Sequence, residues 1–280
     1  MALTKVKPEE LKILAVYVHE ISGIVLDASK GYLFESRLGP LVDEWGCPDY
    51  LTLCKKARAD VSGSMRNHII DAISTHETSF FRDQAPFELL KHKLLPDHID
   101  LSKSIPGNLN IWSAACSTGQ EIYSIAMALT EVLPDVKRWR IRLLGTDISD
   151  AAVAQASAGK YNEIEMGRGL QDAKKMKFFE RQNNIWRVKD DLRAMVSFRK
   201  FNLHDALGGL GKFDIIFCRN VAIYFGPDTR KNLFERIADQ LNPNGALIIG
   251  STESLMGITN RFERKEHMRS VYYKLSEKTP

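Results

Sequence analysis

Three stretches of this chain place polar side chains directly after an apolar run of strand length. The first spans residues 213–225 and reads Phe-Asp-Ile-Ile-Phe-Cys-Arg-Asn-Val-Ala-Ile-Tyr-Phe. Its first half has the length and composition of a buried parallel strand. Arg219, Asn220 and Tyr224 then fall just beyond the strand's carboxyl end, where open α/β sheets bind their ligands. The second stretch, 109–121, runs from Ile111-Trp112 into small residues, Ser113 to Gly119, and on to Gln120-Glu121. Small side chains let a ligand approach the backbone, and Gly119 frees the turn. The third, 141–149, ends in Gly-Thr-Asp-Ile-Ser. An acid at the tip of a second strand, here Asp147, commonly accepts hydrogen bonds from ribose hydroxyls.

The chemistry this offers is narrower than nucleotide binding in general. A dinucleotide site uses G-x-G-x-x-G, whereas this loop has Gly119 alone, and no G-x-x-x-x-G-K-[ST] occurs. With the pyrophosphate cradle so poorly supplied, an adenosine-bearing ligand without phosphates fits better. S-adenosylmethionine meets that description: an acid for its ribose, an apolar slot for its base, polar and charged partners for its amino-acid end.

These stretches must be positioned by a sheet. From Leu109 onward strands alternate with helices, the pattern of a doubly wound α/β domain. Further strands are expected at 194–198, 213–218, 246–250 and 270–275, and a helix over 229–241 that stops at Asn242-Pro243-Asn244-Gly245. Ahead of them, residues 8–72 read as helices. Leu11, Leu14, Val18 and Ile21 share one face of a helix over 9–21, 32–45 and 66–73 give two more, and Asp49 is a candidate N-cap. A helix over 85–97 precedes a polar linker over 101–108. Between Tyr161 and Asn202 the alternation breaks: a helix over 170–179 and then Ile185–Val188 and Met195–Phe198, which read as an inserted antiparallel hairpin. The expected organisation is a helical domain over 1–75, a linker with a helix over 76–108, and the α/β domain over 109–280, carrying a small β-subdomain over 161–200.

Composition sets outer limits. The 280 residues are 44% hydrophobic and 26% charged, which suits one large domain or two small ones. A net charge of +4 suits an acidic partner surface and is too weak to argue for nucleic acid. Cys47, Cys54, Cys116 and Cys218 form no C-x-x-C pair, no run reads as a signal peptide, and none approaches the ~20 apolar residues that span a bilayer. The expectation is reduced thiols, a cytoplasmic location and no membrane insertion. The histidines show no metal-ligand spacing.

Four motifs together resemble one family. Residues 115–124 (Ala-Cys-Ser-Thr-Gly-Gln-Glu-Ile-Tyr-Ser), 145–149 (Gly-Thr-Asp-Ile-Ser), 218–225 (Cys-Arg-Asn-Val-Ala-Ile-Tyr-Phe) and 75–82 (Thr-His-Glu-Thr-Ser-Phe-Phe-Arg) resemble the chemotaxis receptor glutamate methyltransferases, the CheR family. Their order and spacing match over nearly the whole chain. The resemblance implies a Rossmann-like class I methyltransferase domain behind the helical one. It also implies S-adenosylmethionine as cofactor, S-adenosylhomocysteine as product, and glutamates in the cytoplasmic helical domain of chemoreceptors as substrate.

Site roles follow from the same resemblance. Thr78 and Arg82 would meet the methionyl part of the cofactor, with Arg82 near the reacting methyl and Tyr224 facing it. Glu121 and Asp147 would accept ribose and amino-group hydrogen bonds, Asn202 and Leu203 would flank the adenine, and Arg219 and Asn220 would complete the floor. His76 stands where the family often has Asn, which leaves its contact with the cofactor open. Read from the residues alone, Glu121 could equally be a first-turn helix acid, Arg82 a partner of Asp83 or Glu77, and Tyr224 a packing residue. Lys30 and Arg37 lean towards receptor contact, while Lys55, Lys56 and Arg58 read as a solvated charged face. The short turn Arg181 to Asn184 argues against docking of a receptor C-terminal tail. A methyltransferase acting on another protein, or a non-catalytic sensor of the same cofactor, remains compatible with these residues.

Overall fold

The computed structural model describes residues 5–26, 31–101, 107–133 and 135–277. Four helices come first: α1 (Pro8–Ser22), α2 (Gly31–Glu44), α3 (Tyr50–Ala59) and α4 (Ser64–Ile73). Leu14, Val18, Phe34, Leu38, Val42, Tyr50, Leu53 and Ile69 interlock between them in a core of their own. Helix α3 begins where Asp49 caps it, the Asp49 carboxylate accepting from Thr52 N–H at 2.7 Å. Helix α1 carries a buried anchor as well: Glu10 reaches across to accept from Tyr50 N–H at 3.1 Å.

A connecting segment follows, with α5 (Ala85–Leu89), a π-helical turn (Leu90–Leu94) and α6 (Leu95–Leu101) in direct succession. Residues 102–106 of the expected linker lie outside the described residues. Then comes the sheet: β1 (Asn108–Ala114), α7 (Gln120–Val132), β2 (Arg140–Asp147), α8 (Asp150–Ala158), β3 (Lys160–Asn162), α9 (Glu163–Gly167), α10 (Asp172–Phe178), β4 (Phe179–Gln182), β5 (Ile185–Val188), α11 (Asp190–Arg193), β6 (Val196–Lys200), β7 (Phe213–Cys218), α12 (Pro227–Gln240), β8 (Leu241–Ile249), β9 (Phe262–His267) and β10 (Ser270–Leu275). The main sheet has seven strands in the order β6-β2-β1-β7-β8-β10-β9. Strands β6, β2, β1, β7 and β8 are parallel, and β10 and β9 close the edge antiparallel. Strand order reverses between β2-β1 and β7-β8, which opens a crevice at their carboxyl ends.

The sheet is buried on both faces, as a parallel sheet must be. Ile111, Ile215, Phe217 and Ile248 face α7 and the 85–95 helix, joining Ile122, Ile125, Phe87 and Leu90. Trp112, Ile216, Cys218 and Leu247 point the other way and meet Leu233, Phe234 and Ile237 of α12. Trp112 is fully buried, and its indole N–H donates to Thr146 Oγ1 at 2.9 Å. Among the described residues no helix is long and apolar enough to cross a membrane.

The expected hairpin of 185–188 with 195–198 does not form. Residues 190–193 wind into α11 instead of a tight turn, and β6 joins the main sheet in parallel register beside β2. The true hairpin is β4–β5, closed at Asn183, whose φ of 57° is the left-handed conformation that Asn tolerates. With β3 it makes a separate three-stranded sheet, β3-β5-β4. Strand β9 was not anticipated. Its sequence Phe-Glu-Arg-Lys-Glu-His is nearly all polar, because an edge strand needs no second buried face.

The buried indole donor gives a direct test. Thr146→Val keeps the shape of the side chain but strands the Trp112 N–H, a loss of about 1–3 kcal/mol. Denaturant unfolding monitored by tryptophan fluorescence is expected to show that decrease; an unchanged midpoint would mean the indole finds another acceptor.

Candidate active site

The crevice is built from strand ends that the local backbone bends into place. After β1, Ala115 (φ 58°), Ser117 (φ 51°) and Gly119 (φ 95°) all adopt left-handed conformations. A Cβ on Gly119 would sit 2.9 Å from that of Ala156 and 3.1 Å from the Tyr161 hydroxyl, so the loop can pack this closely only with glycine there. The tight loop aims Ser117 N–H at Asp147 Oδ2, 2.8 Å away, while Ser149 N–H donates to Oδ1 at 3.0 Å. Asp147 is only 5% exposed. Burial pushes its carboxyl above the usual carboxylate range, opposed by the two amide donors and by His76 nearby.

The end of β7 supplies the central cation. Arg219, its side chain 2% exposed, donates through Nη1 to Glu121 Oε2 at 2.8 Å and through Nη2 to Asp83 Oδ2 at 2.7 Å. The same Nη2 donates to the Arg82 carbonyl at 3.0 Å, and the guanidinium lies 6.0 Å from the Phe87 ring centre. Glu121 Oε1 accepts from Ser113 Oγ at 2.7 Å. Glu121 is therefore more than a helix first-turn acid: it couples β1, α7 and β7. The loop it helps to hold is strained, since Phe81, Asp83 and Gln84 all have positive φ. Phe81 N–H is pinned by Ser124 Oγ at 2.9 Å.

A cleft of about 900 Å³, counting its open mouth, gathers these groups. Each site residue expected from the sequence borders it: His76, Thr78, Arg82, Glu121, Asp147, Asn202, Leu203, Arg219, Asn220 and Tyr224. Several are already engaged. Among the described residues Arg82 makes no ion pair; Nη1 donates to the Glu77 carbonyl at 3.0 Å, while Asp83 pairs with Arg219. Asn202 uses both ends of its amide, donating to the Ile21 carbonyl at 3.1 Å and accepting from His204 N–H at 2.9 Å. It joins the helical unit to the sheet more than it faces the cleft. His76 offers its carbonyl to Ser117 Oγ at 3.2 Å.

The helical unit forms one wall. Ser22 and Ile24, at the end of α1, and Ser74 and Thr75, after α4, border the cleft. Val25 N–H donates to the Tyr224 carbonyl at 2.9 Å, next to a bridge between Ile24 and Phe225. Arg37, a candidate for receptor contact, instead has its guanidinium on the carbonyls of Ile73 and Ser74 and the Thr75 hydroxyl, where it fastens this wall. Lys56 donates to the Trp45 carbonyl and Arg58 pairs with Glu20, so both serve the chain's own structure. Lys30 lies outside the described residues.

Sequence reading missed part of the site. Ser117 contributes through its backbone, which composition does not reveal. Asp83 and Ser113 act on other site residues, and Ile148 and Phe201 line the cleft beside residues that were singled out. Among the described residues no cluster of His, Cys, Asp and Glu could hold a metal ion. All four cysteines are free and buried.

Two family profiles cover most of the chain: "CheR methyltransferase, all-alpha domain" matches residues 9–74, and "CheR methyltransferase, SAM binding domain" matches residues 76–271. The chemotaxis protein methyltransferase Cher2 of Pseudomonas putida is 37% identical over 264 residues, 92% of this chain and 94% of that protein. The chemotaxis protein methyltransferase of Vibrio parahaemolyticus is 38% identical over 283 residues, 98% of this chain and 100% of that protein. Chemotaxis protein methyltransferase 1 of Pseudomonas aeruginosa is 36% identical, with 95% and 97% covered.

The buried ion-pair cluster makes its own prediction. Arg219→Met leaves Glu121, 12% exposed, and the more solvated Asp83, 35% exposed, without their cation, and breaking a buried pair from one side costs up to about 3–5 kcal/mol. Thermal unfolding should show a large loss in stability. A melting temperature equal to wild type would mean that the two carboxylates are solvated and the cluster adds nothing.

Proposed function

The chain belongs to the CheR methyltransferase family, and from that premise we propose that its cleft methylates glutamate side chains of chemoreceptors, giving methyl esters. It is an S-adenosylmethionine-dependent enzyme with a class I methyltransferase fold. The observation that carries the proposal is the meeting, in one cleft, of a buried acid at the end of β2 with the Arg219–Glu121 pair at the end of β7.

The residues fit the cofactor. Asp147 has lone pairs left after accepting two amide hydrogens, and ribose hydroxyls can use them. Ile148, Phe201 and Leu203 offer apolar surface for a base beside it. We assign Thr78, Arg82 and Asn220 to the amino-acid end. Glu121 takes a hydrogen bond from the cofactor while keeping Arg219, and Asn202 acts as wall because its amide is already committed. His76 borders the cofactor without an assigned hydrogen bond.

S-adenosylmethionine supplies, when bound, an electrophilic methyl group on a sulfonium centre. A glutamate side chain, with an ordinary pKa of about 4.3, is already a nucleophile at neutral pH, so the chain needs no general base. Charge is neutralised as the methyl moves, and a tight grip on the substrate carboxylate would stabilise the ground state more than the transition state. Arg82 and Tyr224 are therefore orienting groups, and their contribution is alignment. Recognition of the receptor's helical region rests on the cleft mouth and the helical unit. The short β4–β5 turn at Asn183 supports recognition that does not use the receptor's C-terminal tail.

Transfer of label from tritiated cofactor to receptor tests the assignment. The wild-type protein should give base-labile label on full-length receptor and, at the same rate, on receptor lacking its C-terminal tail. Arg82→Ala and Tyr224→Phe should each be slower by about tenfold or more, ~1.4 kcal/mol of barrier. Both variants at the wild-type rate would remove the orienting role, and cofactor binding without any transfer would leave a sensor in place of an enzyme.

Protonation of Asp147 gives a second test. Because its folded pKa is raised, the ionised carboxylate opposes folding of the ligand-free protein at neutral pH, and acidification relieves that cost. Ligand binding has the opposite sign, since ribose hydroxyls donate to the ionised form. Affinity for S-adenosylhomocysteine should be full above the raised pKa and decline as pH falls through it. Asp147→Asn should weaken binding by about 1.5–3 kcal/mol and flatten that decline. His76 faces the same cleft, so calorimetry on both proteins across pH isolates the carboxylate; equal slopes would assign the decline elsewhere.

A further inference from the structure

At the carboxyl ends of β7 and β8, just outside the cleft lining, one side chain ties the two strands together. Glu253 Oε2 accepts from Asn220 N–H and from Gly250 N–H, each at 2.7 Å. Asn220 sits at φ 56°, a conformation that needs support in a non-glycine residue. Gly250 has no space for a side chain: a Cβ would lie 2.5 Å from Glu253 Oε2 and 2.8 Å from Asn220 Nδ2. Glu253 N–H closes the turn by donating to the Gly250 carbonyl at 2.9 Å. The other carboxylate oxygen, Oε1, is buried and has no hydrogen-bond partner among the described residues. Both strong bonds fall on one oxygen of the carboxylate, which makes the side chain a clamp on two backbone amides and calls for a reason in what they flank.

The position of the clamp supplies one. Arg219, with its two carboxylate partners, comes directly before Asn220, and Tyr224 lies in the helical turn directly after. Arg219, Asn220 and Tyr224 all border the cleft, whereas Glu253 does not. Resting on the methyl-transfer reading above, we propose that Glu253 is a positioning residue of the reaction: by seating the Asn220 and Gly250 amides on one oxygen, it sets the direction in which β7 delivers Arg219 and Tyr224. Two amides converging on one point form a seat for an anion, which a carboxylate fills better than a neutral side chain. A glutamine can still offer a carbonyl oxygen to both donors.

Three proteins test this: wild type, Glu253→Gln and Glu253→Ala. Amide hydrogen exchange reads the clamp itself and needs no receptor. The Asn220 and Gly250 amides should exchange slowly in wild type and Glu253→Gln, and at least about tenfold faster in Glu253→Ala. Steady-state methylation should show kcat in Glu253→Ala reduced about tenfold or more, with KM for the cofactor changed less than about threefold and Glu253→Gln restoring most of the rate. Unchanged exchange in Glu253→Ala would overturn the clamp, and a wild-type kcat with both amides exposed would overturn its positioning role. If Glu253→Gln keeps the amides protected but turns over as slowly as Glu253→Ala, charge at Glu253 is what matters and the positioning role is wrong. Absence of transfer by the wild-type protein would sink the methyl-transfer reading itself, whereas normal transfer by both wild type and Glu253→Ala would sink this inference alone.

Discussion

One buried cation organises the side of the cleft built on β1, β7 and the segment before α5. Arg219 is the point at which four separate pieces of chain meet: the end of β7, Glu121 at the start of α7, Asp83 and the Arg82 carbonyl in the strained segment before α5, and, through Glu121, Ser113 on β1. A guanidinium can do this because its donors lie in a fixed planar fork; a lysine offers one point charge on a flexible stem. The arrangement also explains why Phe81, Asp83 and Gln84 keep positive φ values. Such conformations persist only where the surroundings over-determine them, and here the cation on one side and Ser124 on the other leave the segment little choice.

Much of this was legible in the sequence, and unevenly so. The strands at 213–218 and 270–275 have the boundaries that their apolar patterns predict, because buried parallel or near-central strands announce themselves by composition. The acid at the end of β2 and the Arg-Asn pair after β7 were visible for the same reason: polarity that begins where a strand must stop. The small sheet was misread. Its strands are short, and nothing in Ile185–Val188 says whether it pairs with the segment before it or the one after. Only Asn183 in the left-handed conformation hints at the hairpin that forms. Strand β9 hid because its residues are almost uniformly polar.

Within the site, the residues that escaped notice are those whose work is done by other atoms than their names suggest. Ser117 matters for an amide hydrogen, and Asn202, singled out for its side chain, has that amide already committed to Ile21 and His204. Arg37 looked like surface charge offered to a partner, yet it spends its donors on carbonyls at the end of α4. A side chain's chemical type can be read from sequence, but whether its hydrogen bonds are already spent cannot.

The cleft wall contributed by the helical unit has a further consequence. Ser22, Ile24, Ser74 and Thr75 come from a unit with its own core, and the hydrogen bonds that seat it against the sheet include Val25 to Tyr224 and Asn202 to Ile21. A small molecule held between the two units would bind only when they are docked, so by mass action it would add its binding free energy to their junction. The helical unit and the sheet, joined in packing where Ile24 touches both, would then be held together more firmly in the presence of ligand than without it. Cellular cofactor supply would in that way govern how long the whole chain stays intact, as well as how fast it works.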